Sequence, residues 1–215
     1  MGAKKIKDFY KSRDRKGISF SPYFHSAVRF YEYVLQAEKE LKTKEDEIRE
    51  ELSGYSIDRA EVIIFSETRK ELSRLDDFSK ATQIFCCMAI ESFLNLYGVN
   101  YLGEDFYKRN LEKLSAGQKL EALIAISTHL ALEKDDEICK IVRRMFDQRN
   151  RLVHPKAKQI LADSERLELV VSSDDPVVDA KKMIDDMKLF FNLFREADPS
   201  LSSLIDYLIK EENFY

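Results

Sequence analysis

Arg149, Asn150 and His154, within the segment Arg149-Asn150-Arg151-Leu152-Val153-His154-Pro155, bring together three groups suited to phosphodiester chemistry. A guanidinium offers a fixed fork of donors to phosphate oxygens, an amide both donates and accepts, and an imidazole exchanges a proton near neutral pH. The helix expected from about Asp135 to Val153 carries an apolar stripe of Ile138, Val142, Met145 and Leu152, and Arg149 falls between the last two. A buried guanidinium without a partner is strongly unfavourable, so either a carboxylate faces it from a neighbouring helix or the stripe borders a cleft or a subunit contact. Pro155 disfavours helical backbone at His154, which places the expected helix end near Val153. A second reading stays open there: His and Lys side chains near the last carbonyls, followed by Pro, also make an ordinary C-terminal cap.

A partner for Arg149 is to be sought in the run from Ile84 to Tyr97, where Glu91, Ser92 and Asn95 are the polar residues of an otherwise apolar stretch. Offsets of one and four residues put them on neighbouring helix faces, and burying such a cluster is costly unless it meets complementary groups. Glu91 is the first candidate to orient Arg149 or His154, and Asn95 the second. The alternative is that this face reaches solvent.

The net charge of −4 argues against a protein that coats nucleic acid indiscriminately, yet the charge is unevenly placed. Residues 1–20 hold seven Lys or Arg against two Asp, and residues 143–158 hold six against one. The second tract surrounds the arginine–histidine segment, so Arg143, Arg144, Arg151, Lys156 and Lys158 are candidates to meet a phosphate-bearing substrate. Ordinary solvated charge is the competing reading, and the preferred one for residues 1–20.

Arg149 followed by the polar Asn150, three further residues and His154 resembles the signature of the HEPN superfamily, small helical domains with an arginine and, four to six residues later, a histidine. The run Ile84–Tyr97 followed by a Lys-Leu helix resembles the earlier core helices of that family, so the likeness spans roughly Leu72 to Phe194. The resemblance implies an all-α, up-and-down helical bundle and a metal-independent endoribonuclease, acting as a toxin or defence effector, with Arg149 and His154 at a homodimer contact. Within it His154 would be the acid–base group, Arg149 the phosphate-stabilising group and Asn150 a positioning group. Other members of the family bind RNA or nucleotides without cutting them, which is the alternative function, and a separate antitoxin protein is a further expected partner.

Other chemistries find little support in the residues. Ala116-Gly117-Gln118-Lys119 lacks the glycine spacing of a phosphate-binding loop, and no two histidines stand four apart as helix-borne metal ligands. His25 and His129 are isolated and read as capping or surface residues. Cys86, Cys87 and Cys139 match neither a zinc nor a redox spacing and are expected to be buried free thiols. No metal and no cofactor is expected. With 44% hydrophobic and 34% charged residues, 6 Gly and 4 Pro, the composition is that of a helix-rich globular chain. It contains no apolar stretch of membrane-spanning length and no secretory apolar core, so a cytoplasmic protein without membrane contact is expected.

These residues must be positioned by a succession of helices. The expected elements run from about Pro22 to Leu52, with Tyr23, Ala27, Tyr31, Val34, Glu38 and Leu41 on one side and Gly54 as terminator; from Asp58 to Tyr97, with a break at Asp76-Asp77; from Glu104 to Leu114; and from Gln118 to Leu132, opened by a capping box at Ser115. After the motif helix, β-branched residues near 166–172 allow a short β excursion. Asp175-Pro176 and Asp198-Pro199 then place an N-cap before an N1 proline twice, opening helices to about Glu196 and Glu211. The organisation expected is one all-α domain over 1–215, made of an N-terminal helical extension (1–71), a core (72–196) and a C-terminal helix (197–215).

Overall fold

The computed structural model describes residues 21–153, 175–202 and 205–206, and every regular element among them is helical. The helices are α1 (Ser21–Glu51), α2 (Ile57–Leu102), α3 (Glu104–Asn110), α4 (Ala116–Thr128), α5 (Glu137–Val153) and α6 (Pro176–Ala197), followed by a 3₁₀ turn at Pro199–Leu201. The expected β excursion at 166–172 and the basic residues 1–20 lie outside the described residues.

Helix α2 is the axis of the described bundle: the five other described helices all pack on it. Its 46 residues span about 69 Å at 1.5 Å per residue. The expected break at Asp76-Asp77 does not occur. Neither residue is a helix breaker, since Asp in a helix interior costs only about 0.7 kcal/mol relative to Ala, and Asp76 pairs with Lys80 one turn on. A division of the chain at residue 72 therefore falls inside one continuous helix.

The main core is built where α2 meets α6. Phe93 is fully buried, with the rings of Phe194, Phe191 and Phe190 at 4.9, 5.2 and 6.1 Å, all close to edge-to-face. Phe24 of α1 joins this cluster through Phe191 at 5.7 Å. Phe24, Ala27, Val34, Ala37 and Leu41 form the buried side of α1, while Tyr23 and Tyr31 stay half-buried at its margin, so the inward face is rotated slightly from the expected stripe. A smaller cluster of Val34, Ala37, Leu41, Leu75 and Ala180 continues the packing outward. Past it, among the described residues, α1 and α2 pack on each other. Within residues 42–70 burial reaches only Ile64 and Thr68, and polar contacts such as Lys44 to the Glu67 carbonyl (2.6 Å) and Arg49 to Glu61 (3.3 Å) join the arms.

Local chemistry accounts for most helix ends. Gly103 has φ 85°, a conformation that favours glycine, and there α2 gives way to α3. Ser115 and Gln118 form the expected reciprocal capping box of α4, which ends four residues earlier than expected, at Thr128, with His129 as a left-handed C-cap. Asp175 accepts from the amides of Val177 and Val178 ahead of Pro176, the expected cap of α6. Asp198 repeats the pattern, but its Oδ1 accepts from Ser200 and opens a 3₁₀ turn, with helical backbone at Ser202, Ile205 and Asp206. Tyr97 donates to the other carboxylate oxygen of Asp198 at 2.7 Å, tying this corner to α2.

Candidate phosphate-binding site

Helix α5 buries Ile138, Cys139, Ile141, Val142 and Met145, and leaves Leu152 half-buried. Arg149 continues that side, and its side chain retains 28% exposure. The carboxylate expected opposite it is Glu91 of α2: Nη2 of Arg149 lies 3.7 Å from Oε2 of Glu91. The guanidinium also rests over the Phe146 ring at 5.4 Å, and its Nη1 donates to Oδ1 of Asn150 at 3.2 Å. Asn150 thus helps to aim the arginine.

Glu91 has a second cation. Oε1 lies 3.6 Å from Nζ of Lys119, whose side chain is only 3% exposed. Lys119 in turn donates to Oδ1 of Asn95 at 2.9 Å, and the Tyr107 hydroxyl donates to the same oxygen at 2.5 Å. Four helices therefore converge: α2 supplies Glu91 and Asn95, α3 Tyr107, α4 Lys119 and α5 Arg149. Burial, reinforced by Glu112 and Glu91, pushes the Tyr107 phenol up to about 12. It is a neutral donor at physiological pH. Lys119 and Tyr107 escaped the sequence reading, and the signal that could have found Lys119 was its place between the apolar Leu120 and the capping box.

The register of α5 is held by a polar chain through the interior. Gln148 donates to Gln83 at 2.8 Å, Gln83 to the Ser79 hydroxyl at 3.2 Å, and Ser79 to the carbonyl of Pro176 at 2.6 Å. Beside it the Cys87 thiol donates to the Met145 carbonyl at 3.4 Å. Burial pushes that thiol up to about 12, against the opposing pull of Arg149. All three cysteines are free and buried.

The other candidates separate into distinct groups. Arg144 closes a two-point fork on Asp186 of α6, with Nε to Oδ2 at 2.7 Å and Nη2 to Oδ1, and also reaches Glu137 at 3.3 Å. Its charge is matched by the protein's own carboxylates. Arg143 is exposed, donating to the Lys134 carbonyl at 3.3 Å, and Arg151 is exposed too. At about 100° per residue, Arg143 and Asn150 share a face of α5, whereas Arg151 lies about 160° round from Arg149. His154, Lys156 and Lys158 lie outside the described residues, so the relation of the histidine to Arg149 is a matter of sequence alone.

Arg149, with Asn150 alongside and Glu91 behind, presents a partly exposed guanidinium whose nearest carboxylate among the described residues is beyond hydrogen-bond distance. Such a group can donate to two oxygens of a phosphate. Among the described residues no helix is long and apolar enough to cross a membrane. Neither the family models, nor the curated proteins, nor the solved structures with which the chain was compared gave a match.

Proposed function

We propose that the protein is a metal-independent endoribonuclease of HEPN type, in which Arg149 binds the scissile phosphate and His154 moves the proton. The observation that carries this reading is the Arg149 guanidinium: partly exposed, aimed by Asn150 and Phe146, and 3.7 Å from Glu91, its nearest carboxylate among the described residues. Its donors suit the charge that grows on the phosphate oxygens in a pentacoordinate transition state. His154 follows five residues later and would take the proton of the RNA 2′-hydroxyl as that oxygen attacks phosphorus; the departing 5′-oxygen then needs a proton. One imidazole cannot begin in both protonation states, so two copies of the motif across a homodimer would divide the roles. The products are a 2′,3′-cyclic phosphate and a 5′-hydroxyl. Arg143 and Arg151, exposed on the same helix, would contact flanking phosphates.

Purified protein incubated with mixed RNA in excess chelator tests the proposal. Cleavage with cyclic-phosphate ends is expected, abolished in His154→Ala and weakened in binding by Arg149→Ala. Equal cleavage by wild type and His154→Ala would assign the activity elsewhere. Binding without cleavage by the wild type would make the protein an RNA-binding module. Sedimentation at micromolar concentration should show a dimer; a monomer would remove the shared-site mechanism.

A further inference from the structure

Lys119 occupies a position that is unfavourable for a lysine on three counts. Its ammonium is withdrawn from water, its long side chain is immobilised, and it stands in the first turn and a half of α4, where the helix dipole opposes positive charge. An apolar residue of the same length would serve packing as well or better. What Lys119 alone can do there is attract the Glu91 carboxylate.

The protein contains a control for what happens when an arginine has a carboxylate to itself. Arg144 and Asp186 close into the two-point fork that guanidinium and carboxylate ordinarily form. Arg149 and Glu91 do not. Glu91 instead bridges two cations, 3.7 Å from Arg149 on one oxygen and 3.6 Å from Lys119 on the other, with a hydrogen bond to neither. Asn95 holds the lysine from behind, its oxygen shared with Tyr107.

We infer that Lys119 is a positioning residue: from the interior it draws Glu91 away from Arg149 and so keeps the guanidinium fork open for a phosphate group of the ligand. The three charges sum to one positive, and a phosphodiester brings one negative. The inference rests on the phosphate-binding reading of Arg149, and it assigns that site a built-in guard against neutralisation by its own carboxylate.

The test is a double-mutant cycle on the full chain, with a short fluorescein-labelled single-stranded RNA as probe. Lys119→Met should let Glu91 close on Arg149 and weaken binding about tenfold, the equivalent of losing one charge-assisted contact. Adding Glu91→Gln to that variant should restore affinity to within about twofold of wild type, because the competing carboxylate is gone. A purely structural role for Lys119 predicts no such rescue, and its absence would overturn the inference. Glu91→Gln alone, which needs no loss of the buried lysine, should tighten binding; weaker binding would overturn the inference even where Lys119→Met fails to fold. Nitrogen-15 relaxation of the Arg149 guanidinium gives a readout independent of RNA. Rotation about its Cζ–Nε bond should be fast in wild type and slowed in Lys119→Met, and equal rates would refute the proposal. Slowed rotation in a protein that binds no RNA would uphold the guard and refute the ribonuclease reading.

Discussion

Gly98 and Tyr107 occupy one space: a Cβ built on Gly98 would stand 2.4 Å from Cε2 of the tyrosine and 3.2 Å from a methyl of Leu123. The missing side chain lets α3 lay its ring against α2, with the hydroxyl on Asn95 three residues away. Gly98→Ala would gain up to about 1 kcal/mol of helix propensity, but the ring is buried and hydrogen-bonded and cannot swing clear. Overpacking of about 1–3 kcal/mol should win. Chemical denaturation is expected to show a lowered midpoint, and a raised one would mean that the ring relocates.

Asp186 is buried with Arg144 as its fork partner, so removing the arginine leaves a carboxylate in a nearly dry site. Arg144→Met should destabilise by about 2 kcal/mol, between the values for exposed and buried pairs because the arginine is partly solvated. Arg144→Met with Asp186→Leu should recover most of that loss. RNA binding should keep its salt dependence in the arginine variant, whereas Arg151→Ala should lower the slope by about 0.7, one single-strand phosphate contact. A reduced slope for Arg144→Met would return that residue to the binding surface.

The alkaline limb of stability should contain Tyr107. Its folded pKa is raised to about 12 by burial first and by Glu112 and Glu91 after it, against an unfolded value of about 10. A raised folded value means that the stabilisation is complete below the unfolded pKa and is lost as pH climbs from about 10 to 12. Denaturation at stepped pH should show this decline, and Tyr107→Phe should flatten it. A Tyr107→Phe profile that superimposes on wild type would place the alkaline loss in other groups.

Cys86 and Cys87 should resist alkylation in the folded protein at pH 8, since burial raises both thiols, Cys87 to about 12. Denaturant should release them to react. Rapid labelling of either in the native state would show that α2 and α5 separate easily at the site.

Where the signal lay within a few residues of its effect, the chain could be read directly. Ser115 caps α4 with Gln118, Asp175 caps α6, and the polar Glu91 in an apolar run announced a partner for Arg149. Periodicity tells which face of a helix is inward but not which helix it meets. The pairings Gln83 with Gln148, Arg144 with Asp186, and Lys119 with Asn95 join helices that are neighbours only after folding, and no local pattern marks them. Asp76-Asp77 misled for the opposite reason: two acidic residues look like punctuation, yet surface aspartates with a lysine one turn on are compatible with an uninterrupted helix.

The length of α2 gives one helix two very different local stabilities. Around Phe93 its backbone amides can exchange with solvent only by breaking the main core, so their protection should approach that of global unfolding. From Lys70 back to Ile57 the same helix is held, among the described residues, by one neighbouring helix and two buried side chains, and Ile57 and Val62 are 80% and 70% exposed. Opening there disturbs none of the described contacts of Arg149, which are with Glu91, Asn150 and Phe146. The hairpin of α1 and α2 can therefore fray and reform on a fast clock while the four-helix junction beneath it keeps its geometry.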